Sequence, residues 1–188
     1  MVLDAIKNGP QISMVIFETE RLIVREWQES DRPFFYELSA DKEVMEFFPS
    51  ILTNEECDKV VQKLKTQQAT NGFCFWSCEC KVSGTFIGQV GLNKIEDGLP
   101  FAPCVEIGWR LCKRHWGQGY ATEAAKGCLE YGFKTLNLKK IVSFAVKDNA
   151  NSIKVMERIG MINSMHNFMH PKVDVPHLKE HVLFEAIV

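Results

Sequence analysis

The stretch Trp116-Gly117-Gln118-Gly119-Tyr120-Ala121-Thr122-Glu123-Ala124 is the part of the chain best suited to chemistry. It follows a strand-like run, Val105 to Leu111, and opens a helix-like run that reaches about Leu136. A glycine-bearing turn between strand and helix leaves several backbone N–H groups unpaired. They point together at the positive end of a helix dipole, which makes a seat for a phosphate or pyrophosphate. Gly117 and Gly119 let a ligand approach bare backbone and permit a positive φ. The pattern lacks the fuller G-x-G-x-x-G of dinucleotide folds, and no Lys-Ser or Lys-Thr follows as in a nucleoside-triphosphate loop. A glycine turn with no ligand is the competing reading, so the surrounding chain has to decide.

Two other groupings invite a metal reading. His166 and His170, and His177 and His181, are His-x-x-x-His pairs, but His170-Pro171 and the nearby prolines oppose one helix carrying either pair. Packing in loops and at sheet ends is their expected role. Cys74, Cys78 and Cys80 share one face of a predicted strand, which does not suit a tetrahedral zinc site. No metal is expected. Seven cysteines, an odd number scattered through apolar segments without a signal-peptide pattern, point to reduced thiols and a cytoplasmic location.

The elements that must position the turn come from ordinary globular material. At 188 residues, 46% hydrophobic and 24% charged, the chain is read as one domain with a sizeable core. A net charge of −2 gives no nucleic-acid footprint, and no apolar run is long enough to span a bilayer. Residues 1–13 are read as a disordered extension and 14–188 as the single domain. Arg21 to Trp27 alternates as a first strand, and Ser30 is read as the cap of a short helix carrying Phe34, Phe35 and Leu38. Lys42 to Phe48 reads as a second helical piece stopped by Pro49. Thr53-Asn-Glu-Glu56 is a capping box for a helix to about Thr70, with Lys59, Gln62, Lys63 and Gln67 on a solvated face.

Three strand candidates follow: Phe73 to Val82, Thr85 to Ile95, and Val105 to Leu111, the first two joined by a two-residue Ser83-Gly84 turn. Ile141 to Val146 suits a buried central strand. Asp148 or Asn149 caps a late helix that Gly160 ends, and Val182 to Val188 is the last strand. This order specifies a single α/β or α+β domain.

The order, with the glycine turn after the fourth strand, resembles the GNAT superfamily of N-acetyltransferases, and within it the ribosomal-protein N-terminal acetyltransferase (RimJ/RimL-like) type. The carrying segments are Glu18-Thr-Glu-Arg-Leu22, Val105-Glu-Ile-Gly-Trp-Arg-Leu111, Trp116 to Ala124, and Asp148 to Met161. The resemblance implies a mixed, mostly antiparallel sheet splayed between its fourth and fifth strands, with helices on both faces. It implies acetyl-CoA as cosubstrate, without a metal. The family's Gln/Arg-x-x-Gly-x-Gly/Ala signature falls on Trp116-Gly117-Gln118-Gly119-Tyr120-Ala121, with Trp116 where Gln or Arg is usual. That departure is modest, because main-chain amides do the loop's work. By the same register, backbone around Trp109, Arg110 and Leu111 would pair with the pantetheine arm, Thr122 would sit at the phosphates, and Asn149 would cap the late helix and bond the pantetheine.

Many members place a proton-donating tyrosine seven residues after that asparagine; here the position holds Met156. The resemblance gives the task to Ser152, whose hydroxyl would donate to the departing thiolate, while simple helix capping is its alternative. Glu106 is the candidate base, on a strand face shared with Gly108 and Arg110. It is offset by one from the glutamate of some relatives, which a bulge could restore; a solvated or salt-bridged glutamate competes. Trp27, Phe47, Phe48, Trp76 and Phe101 are aromatic candidates for the acceptor pocket or the core. The reading is therefore a cytoplasmic N-acetyltransferase, monomer or homodimer, acting on a protein N-terminus or small-molecule amine. Its rivals are a non-catalytic acyl-CoA sensor on the same fold and, remotely, a nucleotide-binding module.

Overall fold

A computed structural model describes residues 13–188. In chain order the elements are β1 (Val15–Glu18), β2 (Leu22–Arg25), α1 (Arg32–Ala40), α2 (Asn54–Asn71), β3 (Phe75–Cys80), β4 (Thr85–Ile95), β5 (Cys104–Leu111), α3 (Tyr120–Lys134), β6 (Lys140–Val146), α4 (Ala150–Arg158), β7 (Ile162–Asn163), β8 (Phe168–Met169) and β9 (Glu180–Ile187). The strands form one sheet in the order β1-β2-β3-β4-β5-β6-β9-β7, with β8 also on β9. Every pairing is antiparallel except β5 with β6, which α3 connects.

The sheet is covered on both faces. Alternation along β5 sends Ile107 one way and Glu106, Gly108 and Arg110 the other. On the first face α3 buries Ala124, Ala125, Cys128 and Leu129, and its Gly132 lies so close to Ile141 that a Cβ would meet the Ile141 side chain at 2.7 Å. On the second face Phe35 of α1 lies over Arg110. Trp76, Phe35, Leu22, Leu92 and Met156 are among the largest fully buried side chains, each contributing about 2 kcal/mol or more.

Several sequence expectations are corrected. A strand, β1, precedes the expected first one, so the expected fourth and fifth strands are β5 and β6. Lys42 to Phe48 is a run of turns rather than a helix, held by Met45 N–H to Asp41 O at 2.9 Å and by the Asp41 carboxylate accepting from Glu43 N–H. A side chain that satisfies local amides this way competes with helix formation. The β3–β4 turn uses four residues, closed by Gly84 N–H to Cys80 O at 2.8 Å, instead of two. Asp31, not Ser30, stands at the start of α1, and its carboxylate is engaged by the buried Arg25 guanidinium. The Thr53–Glu56 capping box forms as expected. The extension read over 1–13 lies outside the described residues apart from Ser13, whose hydroxyl accepts from Gln28 at 2.7 Å.

The feature that organises the site is a parting of the central strands. β5 and β6 share a single registered pair, Glu106 with Val142, after which each continues to its end unpaired with the other. At the throat the Ser143 hydroxyl donates to Ile107 O at 3.0 Å, taking the carbonyl that a ladder amide would otherwise use. The sheet is thus splayed where the resemblance places the splay.

Candidate active site

The glycine turn is built as an anion seat. Gly117 and Gly119 both have positive φ, 73° and 79°, and Gly119 is the N-cap of α3 with no side chain capping the helix. Among the described residues, none supplies an acceptor to the six backbone N–H groups from Gly117 to Thr122. Six adjacent orphan donors at the start of a fifteen-residue helix form a cradle that a diphosphate fits. Trp116 donates its indole N–H to Leu111 O at 2.9 Å, tying the turn back to the end of β5.

The open edge of β5 leads from that cradle into the splay. Ile107 turns its carbonyl toward β6, since Ser143 reaches it, whereas Cys112 directs its N–H toward β4, to Ile87 O at 2.9 Å. Backbone alternation then points the polar groups of Trp109 and Leu111 into the splay and those of Gly108 and Arg110 toward β4. The Trp109 N–H and C=O and the Leu111 N–H are left to accept an extended partner. Arg110 does not join them. Arg110 is 8% exposed on the other face, its guanidinium bonded to the Met45 thioether at 2.9 Å and flanked by Phe35 and Phe48. Burial holds its pKa down at about 10.

Glu106 stands at the apex of the splay. The β4–β5 ladder runs without a break from Gly88–Leu111 to Ile95–Cys104, so no bulge alters its face. Its carboxylate oxygen lies 3.9 Å from the position of a Cβ on Gly108, which confirms the shared face. Burial pushes its pKa up to about 7, against a hydrogen bond from Asn93 that works downward. Asn93 is oriented in turn by Gln67, whose amide donates to Asn93 Oδ1 at 2.9 Å. Gln67 therefore leaves the solvated face that helical spacing assigned to it. Among the described residues Glu106 forms no salt bridge, and its nearest polar partner is Asn93.

On the far side of the splay, Asn149 caps α4, its Oδ1 accepting from Ser152 N–H at 3.1 Å. Capping is thus done by the asparagine, and the Ser152 hydroxyl has no partner among the described residues. Met156, in the tyrosine position, is fully buried in the core. Trp27 and Trp76 are core as well, while Phe47 packs with Val146 and Phe48 is 43% exposed.

Phe101 joins Phe144, Phe168, His170 and His181 in an aromatic cluster on the Glu106 face, with the two imidazoles 5.0 Å apart. Burial lowers the pKa of both histidines. Neither His-x-x-x-His pair shares a helix, and among the described residues no group of three potential ligands is poised to hold a metal. Two cavities of 320 and 470 Å3 open around Phe101 at the start of β5. The glycine turn follows the other end of that strand, so neither cavity is the phosphate seat.

A turn of free backbone amides, an open strand edge and a splayed parallel pair thus lie next to one another along β5 and the start of α3. Residues 21–162 match the family model described as an acetyltransferase (GNAT) domain. The chain belongs to the GNAT acetyltransferase family. It is 33% identical over 144 residues to a Bacillus subtilis protein named uncharacterized N-acetyltransferase YnaD, covering 76% of this chain and 80% of that one. The structure of a GNAT-family acetyltransferase from Bacillus anthracis superposes with a TM-score of 0.76 at 26% identity, covering 93% and 98% of the two chains. The fold is also that of RimL, a ribosomal L7/L12 α-N-protein acetyltransferase solved with coenzyme A, at TM-score 0.77, 17% identity and coverage of 93% and 98%.

Proposed function

We propose that the protein is an N-acetyltransferase of the RimJ/RimL-like type, moving the acetyl group of acetyl-CoA to a primary amine by direct attack on the thioester. One observation carries this reading: the six free amides from Gly117 to Thr122 lead directly to the unpaired β5 edge at Leu111 and Trp109. The cradle suits the diphosphate, with Tyr120, Ala121 and Thr122 supplying helix N-terminal amides and Gln118 a loop amide. The β5 edge suits the pantetheine, which would pair as an added strand, and Asn149 flanks it from α4.

The chemistry follows from the groups around the apex. The acceptor must lose a proton to expose its lone pair, and Glu106, with a pKa of about 7, is matched to take it near neutral pH. A β5 backbone N–H polarises the thioester carbonyl as nitrogen attacks. The C–N bond forms, the C–S bond breaks, the attacking nitrogen gives up its second proton to solvent, and the departing thiolate receives a proton from Ser152, whose hydroxyl is re-protonated from solvent. Holding amine and thioester together supplies much of the remaining acceleration.

The acceptor is a protein N-terminus or a small amine. The test is an acceptor panel of peptides and polyamines with acetyl-CoA, read by released thiol and product mass. Turnover with a primary amine is the expected result. Tight CoA binding without turnover on any acceptor would replace this reading with a non-catalytic sensor.

A further inference from the structure

The Glu18-Thr-Glu-Arg-Leu22 segment contributes no group to the chemistry above, yet it is fastened directly to the glycine turn. Glu123, in the first turn of α3, receives three hydrogen bonds from it: Thr19 Oγ1–H at 2.6 Å, Arg21 N–H at 2.8 Å and Arg21 Nε–H at 2.6 Å. The segment is itself closed by Thr19 N–H to Leu22 O at 2.9 Å and Leu22 N–H to Thr19 Oγ1 at 3.1 Å. Lys81 holds it from the other side, through its N–H to Arg21 O at 2.9 Å and its ammonium to Thr19 O at 2.7 Å. The guanidinium thus fixed lies 4.5 Å over the Tyr120 ring and donates Nη1–H to Gln118 O at 3.0 Å.

That last bond has a directional consequence. In a trans peptide the C=O and the following N–H point opposite ways. Pinning Gln118 O to Arg21 therefore turns the Gly119 N–H away from Arg21, as one of the six free donors. It also keeps a carbonyl oxygen from rotating into a seat meant for phosphate oxygens. Nη2 lies 3.5 Å from where a Gly119 Cβ would be, so the guanidinium packs against the same left-handed residue.

We infer that Arg21, locked by Glu123 and Thr19, is a positioning residue that orients the Gln118–Gly119 peptide for the donor's diphosphate. This rests on the reading of the glycine turn as the CoA seat. Arg21 and Glu123 act through the loop and touch no reacting atom.

The test compares acetyl-CoA, its 3′-dephospho form and acetyl-pantetheine, which lacks the diphosphate, as donors for Arg21→Met and Glu123→Gln. Each variant is expected to lower the kcat/KM preference for acetyl-CoA over acetyl-pantetheine by about tenfold or more, the range of a charge-assisted hydrogen bond. The dephospho donor should lose as much as acetyl-CoA, and Arg21→Lys should restore part of the preference. Three results would overturn the inference. One is an unchanged donor preference with only a lowered Tm. Another is a loss confined to acetyl-CoA, marking a 3′-phosphate contact. The third is a loss in Arg21→Met but not in Glu123→Gln, marking a direct charge contact. A wild-type enzyme that binds no CoA would instead refute the underlying assignment of the seat.

Discussion

At the scale of single residues, the site rests on groups whose ordinary chemistry is shifted or freed by their surroundings. Glu106 is a carboxyl that burial brings to about 7, so kcat/KM should rise with pH through about 7 and level above it. In Glu106→Gln that limb should vanish; an unaltered pH–rate profile would sink the base assignment. The same shift has a stability sign. A carboxyl raised from 4.5 favours folding while protonated, and that contribution is lost as pH rises through about 7. Glu106→Gln should therefore be more stable than the wild type at pH 8, by about 3 kcal/mol, and nearly equal at pH 4, as denaturant melts at the two pH values would measure. Ser152→Ala should lower kcat by about tenfold or more with acetyl-CoA affinity near normal, and unchanged turnover would remove Ser152 from the mechanism. The roles of Asn93 and Gln67 were not legible in sequence, because helical spacing cannot register a side chain that bends off a polar face to reach a neighbouring strand.

Elements set these residues in place, and glycine sets the elements. Gly119 occupies the left-handed region at φ 79°, where a β-branched side chain is strained by roughly 1–2 kcal/mol. Gly119→Val should weaken CoA binding about tenfold or more by titration calorimetry, and retained affinity would contradict the seat. Gly91 serves close approach instead of dihedral freedom. A Cβ there would lie 2.1 Å from Cys74 O and 2.6 Å from Phe75 Cα, both backbone atoms that cannot yield cheaply. Gly91→Ala should cost about 3 kcal/mol or more, or abolish folding, and a thermal melt unchanged within a degree would refute the packing account. The helices with strong local signals, such as α2 behind its capping box, form where spacing placed them. The turns at 42–48 and the short β1, β7 and β8 did not announce themselves, since their hydrogen bonds depend on distant partners or on one aspartate's choice between helix and turn.

Across the whole molecule, the splay between β5 and β6 belongs to no single element. β5 and β6 part beyond the Glu106–Val142 pair, where the Ser143 hydroxyl donates to the Ile107 carbonyl, while α3 carries the chain over and α4 presents Asn149 and Ser152 from the far side. A donor bound across that gap ties the two halves of the sheet together. Acetyl-CoA at 100 times its Kd should add about 2.7 kcal/mol and raise Tm by roughly 5–10 °C. A melt indifferent to acetyl-CoA would argue against the seat as a whole.

The sequence by itself determined the glycine turn and its free amides. Strand, glycine turn and helix are local, and the geometry of orphan amides at a helix start follows from chain order and glycine alone. It also placed the start of the late helix at Asp148 or Asn149, and the structure made Asn149 its cap. Only the tertiary structure decided what those parts face. It put Arg110 under α1 and away from the open β5 edge, kept Glu106 in register without a bulge, and brought Arg21 and Glu123, 102 positions apart, onto one glycine turn. The reason is physical: backbone donors are fixed by local dihedrals, whereas the direction, burial and proton affinity of a side chain are set by whichever elements pack against it.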